Sequence, residues 1–394
     1  MQPGIRSLTV QNLLSFGAEP TTIELRPLNV LIGANGSGKS NLIEVLGLLQ
    51  NAPDKLATAI SNGGGIDEWL WKGAGKTPIA SLHVTIAHDP KPLRYSLAFT
   101  KAGFRFQIIR ELVMDGPIPD PWPWESGLRP RGHYVYSNGI ATLEQNGGAI
   151  PLPFEDVNPQ RSILSQRKDP EHYPEITYVG ELFAKFWLYR DWEFGTISDV
   201  REPCDAGLPN EYLEEDGSNL GVVLDRLLAL PATKGQILDS LRIFNGGATD
   251  LRTSVEVGKV QTRLEERHLR ATIPLVRMSD GTIRWLALLA ILLNPDPPPL
   301  VCIEEPELGL HPDMIPELAK LLVEASSRMQ LIVTTHSDRL IEEFTETPEA
   351  VVVCEKENGA STLRRLSADQ LASWLKAYSL GELWTKGQLG GTRW

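Results

Sequence analysis

The sequence predicts an α/β fold that is interrupted by a mainly helical insertion. Three observations carry this expectation. A glycine-rich turn, Gly33 to Ser40, lies between an apolar strand pattern and an amphipathic helix pattern. Residues 280–345 alternate helix, strand, helix, strand, helix, the grammar of a sheet with parallel crossovers. Between these two regions, residues 156–243 change to helical periodicity, as in Ile176–Leu188 and Asn219–Leu230. The expected division is an N-terminal lobe over 1–155, an insertion over 156–250 and a C-terminal lobe over 251–394.

The elements follow in order. Ile5, Leu8 and Val10, then Ile23 and Leu25, then Leu28, Val30, Leu31 and Ile32 read as two or three strands, the last one buried. A helix follows from about Gly38 to Leu49, with Leu42, Ile43, Leu46 and Leu49 on one face. Segments 77–88 and 93–113 read as further strands of the same lobe. A proline-rich loop at 117–130 comes next, then strands up to Leu152. Strands return at 251–275. No internal repeat and no heptad run of coiled-coil length is present.

Composition narrows the class. Hydrophobic residues make up 42% and charged residues 22% of the 394, a balance that supports a full globular core. The longest apolar run, Trp285 to Leu293, falls well short of the roughly 20 residues of a membrane span. The opening MQPGIRSLTV lacks the apolar stretch of a signal peptide. Cys204, Cys302 and Cys354 are spaced too widely for a zinc knuckle, and the last two sit in buried-strand patterns. They read as reduced core residues of a cytoplasmic protein. A net charge of −12 argues against coating nucleic acid through the whole surface, though it leaves room for a local basic groove.

Residues 33–40 spell G-x-x-x-x-G-K-S after the strand and at the mouth of the helix. Such a turn aims backbone N–H groups inward, and glycine permits both the curve and close approach. The helix N-terminus adds its positive end, which suits a phosphate chain. Lys39 reaches toward the terminal phosphates, and the Ser40 hydroxyl suits Mg²⁺. A second cluster follows the apolar run Leu300–Ile303, where Pro306 stops the strand just beyond Glu304 and Glu305. Successive strand side chains face opposite ways, so one carboxylate is expected to approach a metal and the other an attacking water. His336 stands at the end of the next apolar run, level with the glutamates if the strands are neighbours, and Ser337 caps the helix Asp338–Phe344. His311 precedes another helix, with Pro312 at its first position. Ser279-Asp280-Gly281 opens the most apolar helix and reads either as a simple cap or as a second anion site.

The ordered set resembles the ABC/SMC/RecF class of ATPases. GANGSGKSN looks like their Walker A motif, MSDGT stands where their signature stands, LVCIEE looks like Walker B, and TTHS resembles the H-switch. IEEPELGLHP is similar to the OLD-like and AAA-family predicted ATPases. GGGIDEWLWKG, DGSNLGVVLDRL, SDGTIRWLALL and YSLGELWTKGQLGG resemble one stand-alone subgroup of these. The resemblance implies a two-lobed, mixed-sheet ATPase head using ATP and Mg²⁺. It implies that Gly33, Asn35, Gly36, Ser37, Gly38, Lys39, Ser40 and Asn41 cradle the phosphates. Ser40, Glu304 and a Q-loop residue, for which Gln166 is the choice, would serve the metal. Glu305 would activate water and His336 would sense the γ-phosphate. Ser279 and Gly281 would reach the phosphate across a homodimer or higher homo-oligomer. The chain departs from the class in two ways: MSDGT replaces an LSGGQ-type signature, and glutamate stands at 304 where many members have aspartate.

OLD-type relatives carry a nuclease domain that needs an Asp-x-Asp set, and this chain has none. The expected role is therefore an ATPase that regulates a separate effector, a nuclease or toxin, in phage defence or nucleic-acid surveillance. The alternative is a RecF-like repair protein that binds duplex DNA directly. A transporter ATPase is disfavoured by the large insertion.

Overall fold

The alternating N-terminal segments become an antiparallel sheet. In a computed structural model that describes residues 4–116, 132–145, 148–190, 192–195 and 198–390, eight strands form it. The spatial order is Thr21–Glu24, Ile5–Gln11, Ala80–Ile86, Leu93–Ala102, Arg105–Asp115, Tyr134–Ser137, Ile140–Gln145 and Gly148–Leu152. Side chains alternate between the faces, so Leu8, Val84, Tyr95 and Val113 share one buried face. The proline-rich stretch 117–130 lies outside the described residues.

Strand Leu28–Ile32 is buried along its whole length, as a strand covered on both faces should be. It runs parallel to Val351–Glu357, with Val30 opposite Val351 and Ile32 opposite Val353. Asn358 and Gly359, both at positive φ, turn that strand back into Ala360–Arg365. Elsewhere Leu300–Glu304 runs parallel to Gln330–Thr334, with Glu304 opposite Thr334. Helix Asp280–Leu292 is apolar nearly all round and buried from Trp285 to Leu292.

Contacts divide the chain into two compact units. One comprises Gln2–Phe186, Glu349–Gln370 and Gly387–Trp394; the other comprises Trp187–Pro348 and Leu371–Lys386. The chain thus changes unit inside the stretch 156–250. That stretch holds helices Ile163–Gln166, Pro174–Ala184, Leu220–Leu228 and Pro231–Phe244. The expected helix Ile176–Leu188 is shorter than its periodicity suggested. It ends at Ala184, and Phe186–Tyr189 is a strand. The run Phe186-Trp187-Leu188-Tyr189 is apolar at every position, so it continues a helical stripe and also suits a buried strand; its aromatic content and tertiary pairing decide for the strand. All three cysteines are buried and free. Among the described residues, no helix is long and apolar enough to cross a membrane.

A buried carboxylate anchors the short helix Ile163–Gln166 to the sheet. Glu111 Oε1 accepts from Tyr95 (2.8 Å) and Ser162 (2.5 Å), and Oε2 accepts from Ile163 N (2.9 Å). Burial raises the Glu111 pKa from 4.5 to about 7 even though these donors pull it down. The folded form therefore holds a proton that the unfolded chain releases at lower pH. Stability contributed by this group is fully present below about pH 4.5 and is lost as pH rises through about 7. The prediction is that Glu111→Gln flattens the fall in denaturation midpoint between pH 5 and 7; an unchanged pH slope would remove Glu111 as its source.

Candidate functional site

The shape of the loop at residues 33–40 follows from its glycines. Gly36 and Gly38 take φ of 74° and 108°, open to glycine at no steric cost. At Gly33 a Cβ would run into the Cys354 carbonyl and lie 2.6 Å from Ser37 Oγ. At Gly38 it would collide with Ser361 Oγ and lie 2.8 Å from Ser15 Oγ. The loop is thus pressed against its supports at Gly33 and Gly38, where a side chain has no room. Helix Lys39–Asn51 begins at Gly38 with no side-chain cap, leaving its first-turn amides for another acceptor. Lys39 is buried at 6% exposure, and its Nζ donates to the Gly33 and Ala34 carbonyls at 2.9 and 3.1 Å. Ser37 Oγ is buried without a hydrogen-bond partner. Asn35, Gly36 and Ser40 are exposed, and Asn41 is half-buried.

The loop's main support comes from far along the chain. Ser361 Oγ donates to the Ser37 carbonyl (2.6 Å) and reaches Ser15 Oγ (2.7 Å), while Ser361 N donates to the Ser15 carbonyl (2.7 Å). Sequence reading missed Ser361: it lies 324 residues from Ser37 and carries no local signal. Cys354 beneath the loop is inert, since burial pushes its thiol up to about 12 although the Lys39 charge pulls it down.

In the other unit, Glu304, Glu305 and His336 gather at the carboxyl ends of two parallel strands. Glu304 Oε1 lies 3.6 Å from Arg190 Nε. Glu305 takes φ of 45°, uncommon for a residue with a side chain. Its N–H bonds the Thr334 carbonyl of the neighbouring strand at 3.0 Å, which holds the turn in place. Glu305 Oε1 then lies 3.5 Å from His336 Nε2, with both side chains about one third exposed. The pair can share or pass a proton.

Glu307 was not singled out from the sequence, yet it holds the histidine loop. Its Oε1 accepts from Thr335 Oγ1 and from His336 N (3.3 Å). Burial raises its pKa, against the pull of these donors. Its place in Glu304-Glu305-Pro306-Glu307 was the available signal. Arg284, over the rings of Trp192 and Phe194 at 5.5 and 5.2 Å, feels the charges of Glu307 and Glu305 while burial lowers its pKa. His311 is a local cap, its Nδ1 accepting from Asp313 N at 3.3 Å.

The helix start at Ser279 is a genuine cap. Ser279 Oγ accepts from Thr282 N at 3.1 Å and lies 2.8 Å from Thr282 Oγ1. Arg201, buried at 5% exposure, donates to the Met278 carbonyl (2.7 Å) and pairs with Asp280, fixing the turn from behind. Gly281 sits where a Cβ would be 2.9 Å from the Gly309 carbonyl, so its lack of a side chain has a packing reason. A cavity of about 500 Å³ opens beside this turn, lined by Trp192, Phe194, Asp280, Gly281, Arg284 and Gly309. Gln166 is committed elsewhere: its Nε2 donates to the Arg161 carbonyl (2.8 Å) and its Oε1 accepts from Asn158 N (3.1 Å).

A family model described as "AAA domain, putative AbiEii toxin, Type IV TA system" matches residues 28–342, more than half of the chain. The chain belongs to this AAA-domain family. Among solved structures, it is similar to an SmcHead bound to the C-winged helix domain of ScpA, with a TM-score of 0.58 at 15% identity, covering 93% of this chain and 99% of that one. It is also similar to an Smc head domain with an extended coiled coil, bound to the C-terminal domain of ScpA derived from Pyrococcus furiosus. There the TM-score is 0.54 at 14% identity, covering 95% and 99%. At such identities the likeness is one of fold, that of an ABC/SMC-type ATPase head. The chromosome partition protein Smc of Mycobacterium tuberculosis (strain ATCC 25618 / H37Rv) is 27% identical over 114 residues, 28% of this chain. That of Mycolicibacterium paratuberculosis (strain ATCC BAA-968 / K-10) is 30% identical over 108 residues, 26% of this chain. The matches span 9% of the length of these curated relatives.

Removing the support of the loop tests this geometry. Ser361→Ala leaves the buried Ser37 carbonyl without its donor and is predicted to cost about 1–3 kcal/mol of stability. Chemical denaturation measures this, and a loss below a few tenths of a kcal/mol would show that the contact does not hold the loop.

Proposed function

We propose that this AAA-domain chain binds Mg-ATP through residues 33–41 and hydrolyses it with Glu305 and His336. The observation that carries the reading is the Glu305–His336 pair, 3.5 Å apart at the carboxyl ends of parallel strands, in a chain with a glycine-built anion loop. In this reading Glu305 orients the attacking water and takes its proton, and His336 stabilises that geometry from the neighbouring strand. Lys39 turns from the Gly33 and Ala34 carbonyls to the phosphates, which are the stronger acceptors.

The donor set fits magnesium. Among the described residues, no group of three or more His, Cys, Asp or Glu could hold a metal by itself. An ion carried mainly by phosphates and water needs only one or two protein oxygens, here Ser40 and Glu304. Bound Mg²⁺ would supply charge neutralisation at the phosphates. Gln166 would join this set only by releasing the loop backbone that both ends of its amide bond.

The same reading places Ser279 and Gly281 against a nucleotide held by a second copy of the chain, making a symmetric dimer with two composite sites. It also assigns the ATPase cycle to the control of a separate protein. Two observations support a protein partner: the matched family is described through a toxin of a toxin–antitoxin system, and the similar Smc heads are bound to ScpA domains. The effector here is a nuclease or toxin, acting in phage defence or nucleic-acid surveillance.

Three measurements test the chemistry. Lys39→Ala is predicted to weaken Mg-ATP binding by roughly tenfold or more, and to lower the thermal midpoint as well, since the Gly33 and Ala34 carbonyls lose their donor. Glu305→Gln is predicted to bind ATP normally and to slow turnover on the order of a hundredfold; parental turnover would remove Glu305 from the reaction. Mixing Lys39→Ala with Ser279→Arg chains should restore part of the ATPase rate, because one composite site of the heterodimer is intact. No recovery, with both chains dimerising by light scattering, would show that Ser279 does not act across the dimer.

A further inference from the structure

The segment Ser379–Gly390 has no part in the chemistry described so far, although YSLGELWTKGQLGG stands out in the sequence. Its helix, Leu380–Thr385, is six residues long and would be marginal alone. A complete capping box starts it: Ser379 Oγ accepts from Glu382 N (3.2 Å) and Glu382 Oε2 accepts from Ser379 N (2.9 Å). Leu380, Leu383 and Trp384 are buried.

This helix packs on Asp338–Glu342, the helix that begins two residues after His336. The two meet at backbone distance. A Cβ on Gly381 would lie 2.5 Å from the Asp338 carbonyl oxygen and 3.0 Å from Glu342 Cβ. At the far end, Thr345 Oγ1 accepts from Leu380 N (3.1 Å) and donates to the Glu342 carbonyl (2.5 Å). The Asp338–Glu342 helix is tied in turn to the histidine loop. Ser337 Oγ accepts from Leu340 N (3.2 Å), Ser337 N donates to Thr335 Oγ1 (2.9 Å), and Thr335 Oγ1 donates to Glu307. A shift of this five-residue helix would be passed toward His336 through Ser337, which caps it and bonds Thr335.

We propose that Gly381 is a positioning residue for the hydrolysis of ATP. By admitting backbone-to-backbone contact it seats the helix Asp338–Glu342, and so sets His336 against Glu305. The proposal rests on the ATPase reading above.

Gly381→Ala separates packing from local helix stability, because alanine favours a helix where glycine does not. The displaced helix is expected to lower kcat on the order of tenfold to a hundredfold with KM nearly unchanged. Amide exchange across 335–343 should rise. In a His336→Ala background the same substitution should lower kcat no further, since the two act through one group. Thr345→Val, which loses the two hydrogen bonds at the far end without adding bulk, should show the same split to a smaller degree if Gly381→Ala fails to fold. An active parent whose Gly381→Ala and Thr345→Val variants keep kcat would overturn the proposal. So would a loss that multiplies fully onto that of His336→Ala. A parent chain with no ATPase activity would overturn the underlying reading, and this one with it.

Discussion

A chain that turns sharply from a buried strand into a helix must bend without crowding its supports, and the structure around residues 33–40 answers to that demand. Unpaired buried amides are costly, so few folds keep them without a designated acceptor. Here the turn bends through Gly36 and Gly38, where no Cβ intrudes, and the helix starts at a residue with no side chain to cap it. The carbonyl side is satisfied instead: Lys39 takes two carbonyls and Ser361 takes a third.

The other unit solves a related problem at a strand end. Two adjacent glutamates leave a strand on opposite faces, and a turn at positive φ then redirects Glu305. Such a conformation costs free energy and persists only where the surroundings impose it. The bond from Glu305 N to the Thr334 carbonyl does so, and Glu307 locks the facing loop. The placing of Glu305 and His336 thus depends on a buried carboxylate, Glu307.

Local chemistry was legible wherever a motif carries its own geometry. The G-x-x-x-x-G-K-S turn, the strand-end glutamates, the Ser279 and Ser337 caps and the buried strands at Cys302 and Cys354 were all readable, because each rests on neighbours within a few residues. What failed was periodicity at the edge of an element. Phe186–Tyr189 continues a helical stripe in sequence, yet it pairs as a strand. Gln166 was chosen by its position in the motif order; its amide bonds the backbone at Asn158 and Arg161.

The sequence by itself determined the α/β class, the glycine-rich turn before its helix and the place of the two glutamates at a strand end. These depend on backbone conformation and residue type, which act over short range. Only the tertiary structure decided what supports them. Ser361 lies under Ser37, Arg201 lies behind the Ser279 turn, and Gly381 meets the Asp338 carbonyl. Each of these joins positions far apart in the chain through contacts that any serine, arginine or glycine could make. No local pattern marks such residues, because folding alone brings their partners within reach.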